Sequence, residues 1–161
     1  MSNIVLIRID DRLIHGQVMT GWAKVTLANR IMIIDDQVSN EPFMKGVLEM
    51  AAPPGMAVDV CSVEQAEAEL AKESPAGERT IVLVKSPLTL KTFLEKGELT
   101  REIIVGGIGM APGRKTLYRN ISASKEEVET FKEFVSKGTK IFVQVVPDDR
   151  KVDIEGFLQK M

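Results

Sequence analysis

The sequence predicts an α/β fold: one doubly wound, mainly parallel sheet with helices on both faces. Three observations support this fold class. Strand-like and helix-like segments alternate along nearly the whole chain. The strand-like runs are rich in Ile and Val and mostly lack alternation, which is typical of strands buried on both faces. The length of 161 residues and the apolar content of 44% suit a single domain over residues 1–161.

Six strands are predicted from apolar runs that are bounded by turn residues. They cover about residues 4–9, 31–35, 57–61, 80–84, 102–105 and 140–145. The continuous apolar runs at 31–34 and 81–84 are expected to lie inside the sheet. The alternation is interrupted once, after the fifth strand, where residues 115–121 show no helical pattern and fit an extra short strand.

Helices are predicted between the strands from apolar residues at helical spacing. Their stripes are Val18, Trp22 and Val25; Phe43, Val47 and Met50; Val63, Ala66 and Leu70; Leu90, Phe93 and Leu94; and Val128, Phe131 and Val135. We expect these stripes to face the core. Asn40 is expected to cap the second helix, Gly97 to end the fourth, and Ser124 with Glu127 to form a capping box on the fifth. A short helix is expected near residues 154–158.

Composition excludes several classes of function. The net charge of −2 argues against a nucleic-acid-binding surface, which normally carries a basic excess. No apolar run approaches the ~20 residues of a membrane span, and the first residues lack the features of a signal peptide. We therefore expect a cytoplasmic protein. With Cys61 as the single cysteine and His15 as the single histidine, no intrachain disulfide and no cysteine-based zinc cluster can form. We expect neither a metal nor a cofactor.

His15 lies where the first strand gives way to the first helix, and it is the strongest candidate for a reactive side chain. Free N–H groups at a helix N-terminus favour an anion, so the backbone of Gly16 and Gln17 is predicted to hold a phosphate. Arg12 adds a planar cation for phosphate oxygens. Asp10 is predicted to orient the imidazole or to hold Arg12. The competing interpretation is that the histidine is structural and the Asp-Asp-Arg segment is ordinary turn chemistry.

Other polar residues follow strands at the same predicted edge of the sheet. Asp35, Lys85 and Gly107 are therefore candidates for lining a shared cleft. The glycine-rich segment 106–113 would let backbone approach an anion, although half or more of such loops are only tight turns. Its spacing is a poor match to the dinucleotide-binding fingerprint, and it lacks the Gly-Lys-Ser/Thr of a phosphate loop. A nucleotide-binding enzyme of Rossmann type is thus a weaker alternative.

The segment from Arg8 to Val18, Arg-Ile-Asp-Asp-Arg-Leu-Ile-His-Gly-Gln-Val, resembles the signature of the IIB component of the mannose/fructose/sorbose class of the bacterial phosphotransferase system. The resemblance covers nearly the whole chain. It includes Gly106–Gly107, Gly113–Arg114, Phe131, Phe134, Gly138, Ile141 and the segment 144–147. The chain departs from it at 104–105, where relatives often carry an asparagine before the glycine pair and this chain has Ile-Val.

The resemblance implies a protein-Nπ-phosphohistidine–sugar phosphotransferase without a cofactor. His15 would accept a phosphoryl group from a histidine of a IIA protein or domain. It would then pass the group to a sugar of the mannose, fructose, sorbose or amino-sugar class, held by the membrane components IIC and IID. The carrier would be cytoplasmic and associate peripherally with that transporter. One alternative is a non-catalytic module that reports His15 phosphorylation to a partner.

Overall fold

The computed structural model describes residues 3–95 and 102–160. Seven strands form one sheet: β1 (Ile4–Asp10), β2 (Arg30–Ile34), β3 (Ala57–Cys61), β4 (Thr80–Val84), β5 (Ile103–Gly107), β8 (Ile141–Val143) and β9 (Val152–Asp153). Their order in the sheet is β3-β2-β4-β1-β5-β8-β9. All described pairings in this sheet are parallel except the one between β8 and β9. Buried side chains fill β2, β4 and β5 throughout, as their apolar runs predict.

Helices cover both faces of the sheet, which confirms the doubly wound fold. One face carries α1 (Gly16–Thr26), α2 (Asp36–Ser39) and α3 (Pro42–Met50). The other carries α4 (Val63–Ala71), α5 (Pro87–Glu95), α6 (Lys125–Ser136) and α7 (Glu155–Leu158). The capping box of Ser124 and Glu127 opens α6 as expected. The predicted helix end at Gly97 lies outside the described residues. Within the described part of the chain, no helix is both long and apolar enough to cross a membrane.

Residues 115–121 do not form the single extra strand expected from the sequence. They belong to a hairpin of β6 (Arg114–Tyr118) and β7 (Ile121–Ser124), which pair as an antiparallel sheet of their own. The turn between them is Arg119–Asn120. Arg119 has a left-handed φ of 43° there. Because hairpin turns with that backbone are usually marked by Asn-Gly or Asp-Gly, the sequence carried little signal of this turn.

The second predicted helix also differs from expectation. An additional short helix, α2, precedes it and ends just before Asn40, so Asn40 is the C-cap of α2, and the N-cap of α3 is Glu41. The predicted core stripe on α3 is wrong, because Phe43 is 79% exposed and Met50 is 90% exposed. The core contact comes instead from Leu48. Apolar spacing on this helix fits two adjacent stripes, and only packing on the sheet decides between them.

The carboxyl ends of the parallel strands place several loops at one edge of the sheet. At that edge the Arg8 side chain of β1 reaches past Gly106 of β5 to the chain beyond β8. Its Nη1 donates to the carbonyl of Gln144 at 3.0 Å, and its Nη2 donates to that of Val145 at 2.9 Å. A Cβ on Gly106 would overlap the Arg8 guanidinium group. Because Gly106 has no side chain, Arg8 of β1 can cross β5 and bind the chain that follows β8.

Gly106→Ala should destabilise the protein, because the added methyl group competes with a buried guanidinium for the same space. Overpacking of this kind costs about 1–3 kcal/mol. Gly46→Ala is the matched control, since a Cβ there has nothing within 4 Å and the residue lies inside α3. That change should be neutral or stabilise by up to about 1 kcal/mol. Urea unfolding of the two variants checks the prediction, and equal stabilities would contradict it.

Candidate functional site

The carboxylate of Asp10, at the end of β1, is the centre of the site. Its side chain is fully buried. Its Oδ1 accepts hydrogen bonds from the backbone N–H of Arg12 at 3.1 Å and from Arg12 Nε at 2.9 Å. Its Oδ2 lies 3.2 Å from Arg8 Nη2, 2.9 Å from Arg12 Nη2 and 3.0 Å from His15 Nε2. One carboxylate thus brings together two arginines and the only histidine.

A tight turn after β1 places His15 beside this carboxylate. The N–H of Leu13 donates to the carbonyl of Asp10 at 2.9 Å, and Leu13 adopts a left-handed φ of 57°. Such a conformation is unfavourable for leucine. The buried side chains of Leu13 and Ile14 pack in the core between the sheet and α1 and so hold the turn. His15 then follows as the N-cap of α1, with its side chain 23% exposed.

The helix N-terminus offers the backbone donors that the sequence predicts. No side chain caps α1, so the first N–H groups of the helix, at Gly16 and Gln17, are not taken by a capping side chain. Gly16 has a φ of 51°, which a residue with a side chain rarely adopts. This backbone turns directly from His15 into the helix. The imidazole and the free donors are therefore neighbours at the same helix end.

Arg12 is bound to Asp10 but stays accessible. Its Nε and Nη2 engage the two carboxylate oxygens, while its side chain is 48% exposed. An arginine held in this way presents the remaining edge of its guanidinium group to solvent, where an anion can be bound.

Arg8 is the residue of this site whose importance the sequence analysis missed. Its side chain is fully buried, and its guanidinium lies 5.2 Å from the ring centroid of Trp22. Trp22 Nε1 in turn donates to the carbonyl of Val145 at 3.0 Å. An arginine within an apolar strand was the available signal, because arginine is almost never fully buried without a partner. Arg8 supports Asp10 from the protein interior.

The glycine-rich segment 106–113 lies against the same carboxylate. Gly107 pairs with Asp10 across β1 and β5, and a Cβ on Gly107 would be 3.5 Å from Asp10 Oδ1 and 3.1 Å from Arg12 Nη2. Asp11 Oδ2 accepts from the N–H of Gly109 at 2.7 Å. The segment leads into β6 and not into a helix, so it lacks the strand-to-helix context of a dinucleotide-binding loop. Its backbone closes one side of the site.

A partly buried ion pair between Arg114 and Glu127 holds this segment in place. Arg114 Nη1 donates to the carbonyl of Gly109 at 2.9 Å, and Arg114 Nε donates to Glu127 Oε1 at 2.9 Å. Glu127 also accepts from Ser86 Oγ at 2.7 Å. Burial acts to raise the pKa of Glu127, but the hydrogen bonds from Ser86, Ser124 and Arg114 outweigh it, and the pKa is lowered. Glu127 therefore anchors the segment as an ionised group, a role beyond its predicted capping box.

Asp35 and Lys85 lie at the same edge but form a separate pair. Asp35 Oδ1 caps α2 by accepting from the N–H of Val38 at 2.8 Å, and its Oδ2 is 3.9 Å from Lys85 Nζ. The sheet order sets β4 next to β1 and β2 one strand further away. No described hydrogen bond or ion pair joins either side chain to Asp10, Arg12 or His15. Of the three predicted cleft residues, the structure thus brings Gly107 against the carboxylate.

The charge state of Asp10 follows from its partners. Burial alone would raise the pKa of this carboxyl group. The side-chain and backbone hydrogen bonds from Arg12, the hydrogen bond from His15 and the charge of Arg8 outweigh burial, so the pKa is lowered. Asp10 is therefore ionised and can only accept hydrogen bonds. Because the carboxylate can only accept, His15 Nε2, which lies 3.0 Å from Asp10 Oδ2, is the donor in this contact.

Asp10→Asn should destabilise the protein at neutral pH, because it leaves the buried Arg8 charge without its carboxylate. Breaking a buried pair costs about 3–5 kcal/mol. A lowered folded-state pKa means that the ionised carboxylate stabilises the fold above its unfolded pKa of about 3.9. That contribution is lost as the pH falls through the folded-state pKa.

Urea unfolding of wild type and variant from pH 7 to pH 3 measures this dependence. The difference in unfolding free energy should be full at pH 7 and shrink below about pH 4. Asp148→Asn, which changes an exposed carboxylate in the loop after β8, is the control and should leave stability unchanged. A difference for Asp10→Asn that stays constant with pH would show that the carboxylate is not the stabilising group.

Comparison with known proteins gives this site a family context. Residues 4–161 match the family model for the sorbose subfamily IIB component of the phosphotransferase system. The sorbose-specific EIIB component of Klebsiella pneumoniae is 38% identical over 151 residues, which cover 94% of this chain and 92% of that protein. The mannose-specific EIIAB component of Escherichia coli K12 is 32% identical over 158 residues, which cover 98% of this chain and 49% of that longer protein.

A solved structure agrees with both sequence matches. The crystal structure of the IIBSor domain of the sorbose permease from Klebsiella pneumoniae superposes with a TM-score of 0.91 at 37% sequence identity, and it covers 99% of this chain and 98% of that one. Family model, sequence relatives and fold therefore lead to one conclusion. The chain belongs to the sorbose subfamily of IIB components of the phosphotransferase system, the phosphoryl carriers and transferases of sugar uptake.

Proposed function

We propose that residues 1–161 act as one phosphocarrier domain and that His15 carries the phosphoryl group on Nδ1. One observation supports this assignment above the others: the ionised, buried carboxylate of Asp10 lies 3.0 Å from His15 Nε2. The bond occupies Nε2 as a donor and leaves the Nδ1 lone pair available as the nucleophile. Asp10 is then a positioning residue that selects the tautomer.

The transfer itself requires no metal in this proposal. The Nδ1 lone pair attacks the phosphorus of a phosphohistidine on a IIA partner, and a P–N bond forms on His15 while the donor's P–N bond breaks. The donor imidazole keeps the electron pair of the broken bond. In the second step the oxygen of a sugar hydroxyl attacks the phosphorus and its proton leaves to solvent. The P–N bond on His15 breaks, and Nδ1 regains its lone pair. Catalysis of phosphoryl transfer consists mainly of positioning and charge stabilisation.

Arg12 and the start of α1 are the groups proposed to stabilise that charge. Arg12 is fixed by Asp10 and accessible along one edge, so it can bind phosphate oxygens without reorganising. The N–H groups of Gly16 and Gln17 add neutral donors at the positive end of the helix dipole. The acceptor atom, the cation and the donors thus belong to one turn of the chain.

The partners are proposed from the family. A IIA protein or domain would donate the phosphoryl group, and the fused mannose-specific EIIAB relative shows that the two functions can occur in one chain. The membrane components IIC and IID would hold the sugar, so this carrier would associate with the membrane peripherally. The names of relatives suggest a hexose or amino-sugar substrate.

His15→Ala should fold normally and take up no acid-labile phosphate, because the chain has no second histidine. The test incubates the protein with phosphoenolpyruvate, the general phosphotransferase components and a IIA partner. NMR of the 15N-labelled wild type should place the phosphate on Nδ1. Labelling of the variant would remove His15 from the proposal, and phosphate on Nε2 would contradict the role given to Asp10.

Transfer to sugar in the presence of IIC and IID distinguishes a carrier from a module that only reports phosphorylation.

Arg12→Ala should slow transfer by about 10²–10³-fold, as the loss of other positioned donors does. Stability should fall by only about 1 kcal/mol, because the buried Asp10 carboxylate loses the two side-chain hydrogen bonds from Arg12 but keeps its contacts with Arg8 and His15. Arg12→Lys should restore only part of the rate, because a point charge lacks the planar fork. Single-turnover transfer from a phosphorylated IIA partner measures the rate, with thermal unfolding alongside. A normal rate in Arg12→Ala would leave the backbone N–H groups as the main anion holders.

A further inference from the structure

Asp11 belongs to the turn that carries His15, but it is not among the groups proposed to react or to bind phosphate. Its side chain is 30% exposed. Its backbone N–H donates to the carbonyl of Gly107 at 3.0 Å, and its Oδ2 accepts from the N–H of Gly109 at 2.7 Å. Asp11 therefore binds the end of β5 with its backbone and the segment after β5 with its side chain.

The contact between Asp11 and Gly109 is close enough to require a glycine. A Cβ on Gly109 would lie 3.1 Å from Asp11 Oδ2, which is closer than Cβ atoms normally come to another atom. The backbone of Gly109 is not left-handed, so its conformation alone would accept a residue with a side chain. The close approach of the carboxylate is therefore what the glycine allows at this position.

Arg114 fixes the other side of Gly109. Its Nη1 donates to the carbonyl of Gly109 at 2.9 Å, and its Nε donates to Glu127 of α6 at 2.9 Å. Both backbone polar groups of Gly109 are thus bound, and Asp11 is attached to a point that α6 holds in place. Arg114 Nη1 also lies 3.9 Å from Asp11 Oδ2, so its charge offsets that of the carboxylate beside a site for an anion.

The turn needs a link of this kind because it carries both strain and charge. Leu13 adopts a left-handed backbone, which is unfavourable for leucine. Arg12, the residue after Asp11, is bound to Asp10 and is also proposed to bind phosphate. A phosphate attracts the guanidinium group of Arg12 away from Asp10, and the turn can follow it unless the turn is tied elsewhere. The hydrogen bond from Gly109 to Asp11 resists that movement.

We infer that Asp11 is a positioning residue for phosphoryl transfer, whose hydrogen bond with Gly109 holds the turn so that Arg12 keeps its place beside His15. In this role Asp11 acts through Arg12 and touches neither the phosphate nor the partner. The inference rests on the proposed function, because it takes His15 as the carrier and Arg12 as the phosphate ligand. The role requires an acceptor oxygen at position 11, which an amide supplies as well as a carboxylate does.

Single-turnover transfer to Asp11→Ala and Asp11→Asn tests this role, with the IIA partner that phosphorylates the wild type used over a range of concentrations. Asp11→Ala should lower the maximal rate by about tenfold, since a misplacement of about 1 Å can cost up to about 10²-fold. The IIA concentration that gives half the maximal rate should stay within about twofold of wild type, because no contact with the partner is lost. Asp11→Asn should transfer at nearly the wild-type rate, because its amide oxygen still accepts from Gly109.

Asp36→Ala is the matched control. Asp36 Oδ1 accepts from the backbone N–H of Val63 at 2.8 Å, so this carboxylate also links two segments at the same edge of the sheet, but outside the site. The variant should transfer at the wild-type rate. Gly109→Ala displaces the Asp11 carboxylate without removing it and should also slow transfer. Its effect and that of Asp11→Ala should not add in the double variant, because both act on one contact.

NMR of the Arg12 Nε–H group measures its position without any transfer, and Arg12→Ala identifies the signal by its loss. The group should be ordered in the wild type and in Asp11→Asn, and clearly more mobile in Asp11→Ala. Urea unfolding of each variant confirms that it is folded under the conditions of the assay.

A maximal rate for Asp11→Ala within about twofold of wild type would overturn the inference. An equal loss in Asp11→Asn would also overturn it, because the charge and not the hydrogen bond would then be the cause. A raised half-maximal IIA concentration at an unchanged maximal rate would make Asp11 a contact for the partner, and the inference would be wrong. If the wild type took up no phosphate on His15, the proposed function would fail, while the mobility of Arg12 would still decide whether Asp11 holds it.

Discussion

The buried carboxylate of Asp10 and its pairing with Arg8 is the interaction on which the site depends. Burying two opposite charges costs several kcal/mol of desolvation per ion, and only good geometry with further hydrogen bonds offsets that cost. Arg8 supplies the charge from inside the protein, while Arg12 and His15 complete the hydrogen bonds at the surface. Arg8 Nη2 can donate to Asp10 Oδ2 because residues two apart in a strand lie on the same face of the sheet.

This pair also explains why the surrounding backbone has its particular form. Gly106 lacks a side chain, so the Arg8 guanidinium passes over β5 and binds the carbonyls of Gln144 and Val145. These two hydrogen bonds connect β1, which leads into the turn of His15, to the chain that follows β8.

The fold followed from local pattern with few errors, and the errors have physical causes. Thr80–Val84 lies where its apolar run predicts it, because a strand buried on both faces is marked by composition alone. Ala57–Cys61, at the edge of the sheet, also lies where it was predicted. The hairpin turn was missed since Arg119 and Asn120 are not the usual residues of such a turn. The apolar stripe on α3 was wrongly predicted to be buried. The spacing of apolar residues shows that they share one face of a helix, but it does not show whether the sheet covers that face.

The sequence by itself determined the fold class and the family resemblance, and it predicted the segment from Asp10 to Gln17 as the functional site. Those features are local, since they depend on residue type and spacing within one strand and one turn. Only the tertiary structure decided that Arg8 is buried against Asp10, that Glu127 anchors the glycine-rich segment, and which imidazole nitrogen remains free. The physical reason is that these roles rest on contacts between strands distant in sequence, where a hydrogen bond or an ion pair exists only after the sheet has assembled.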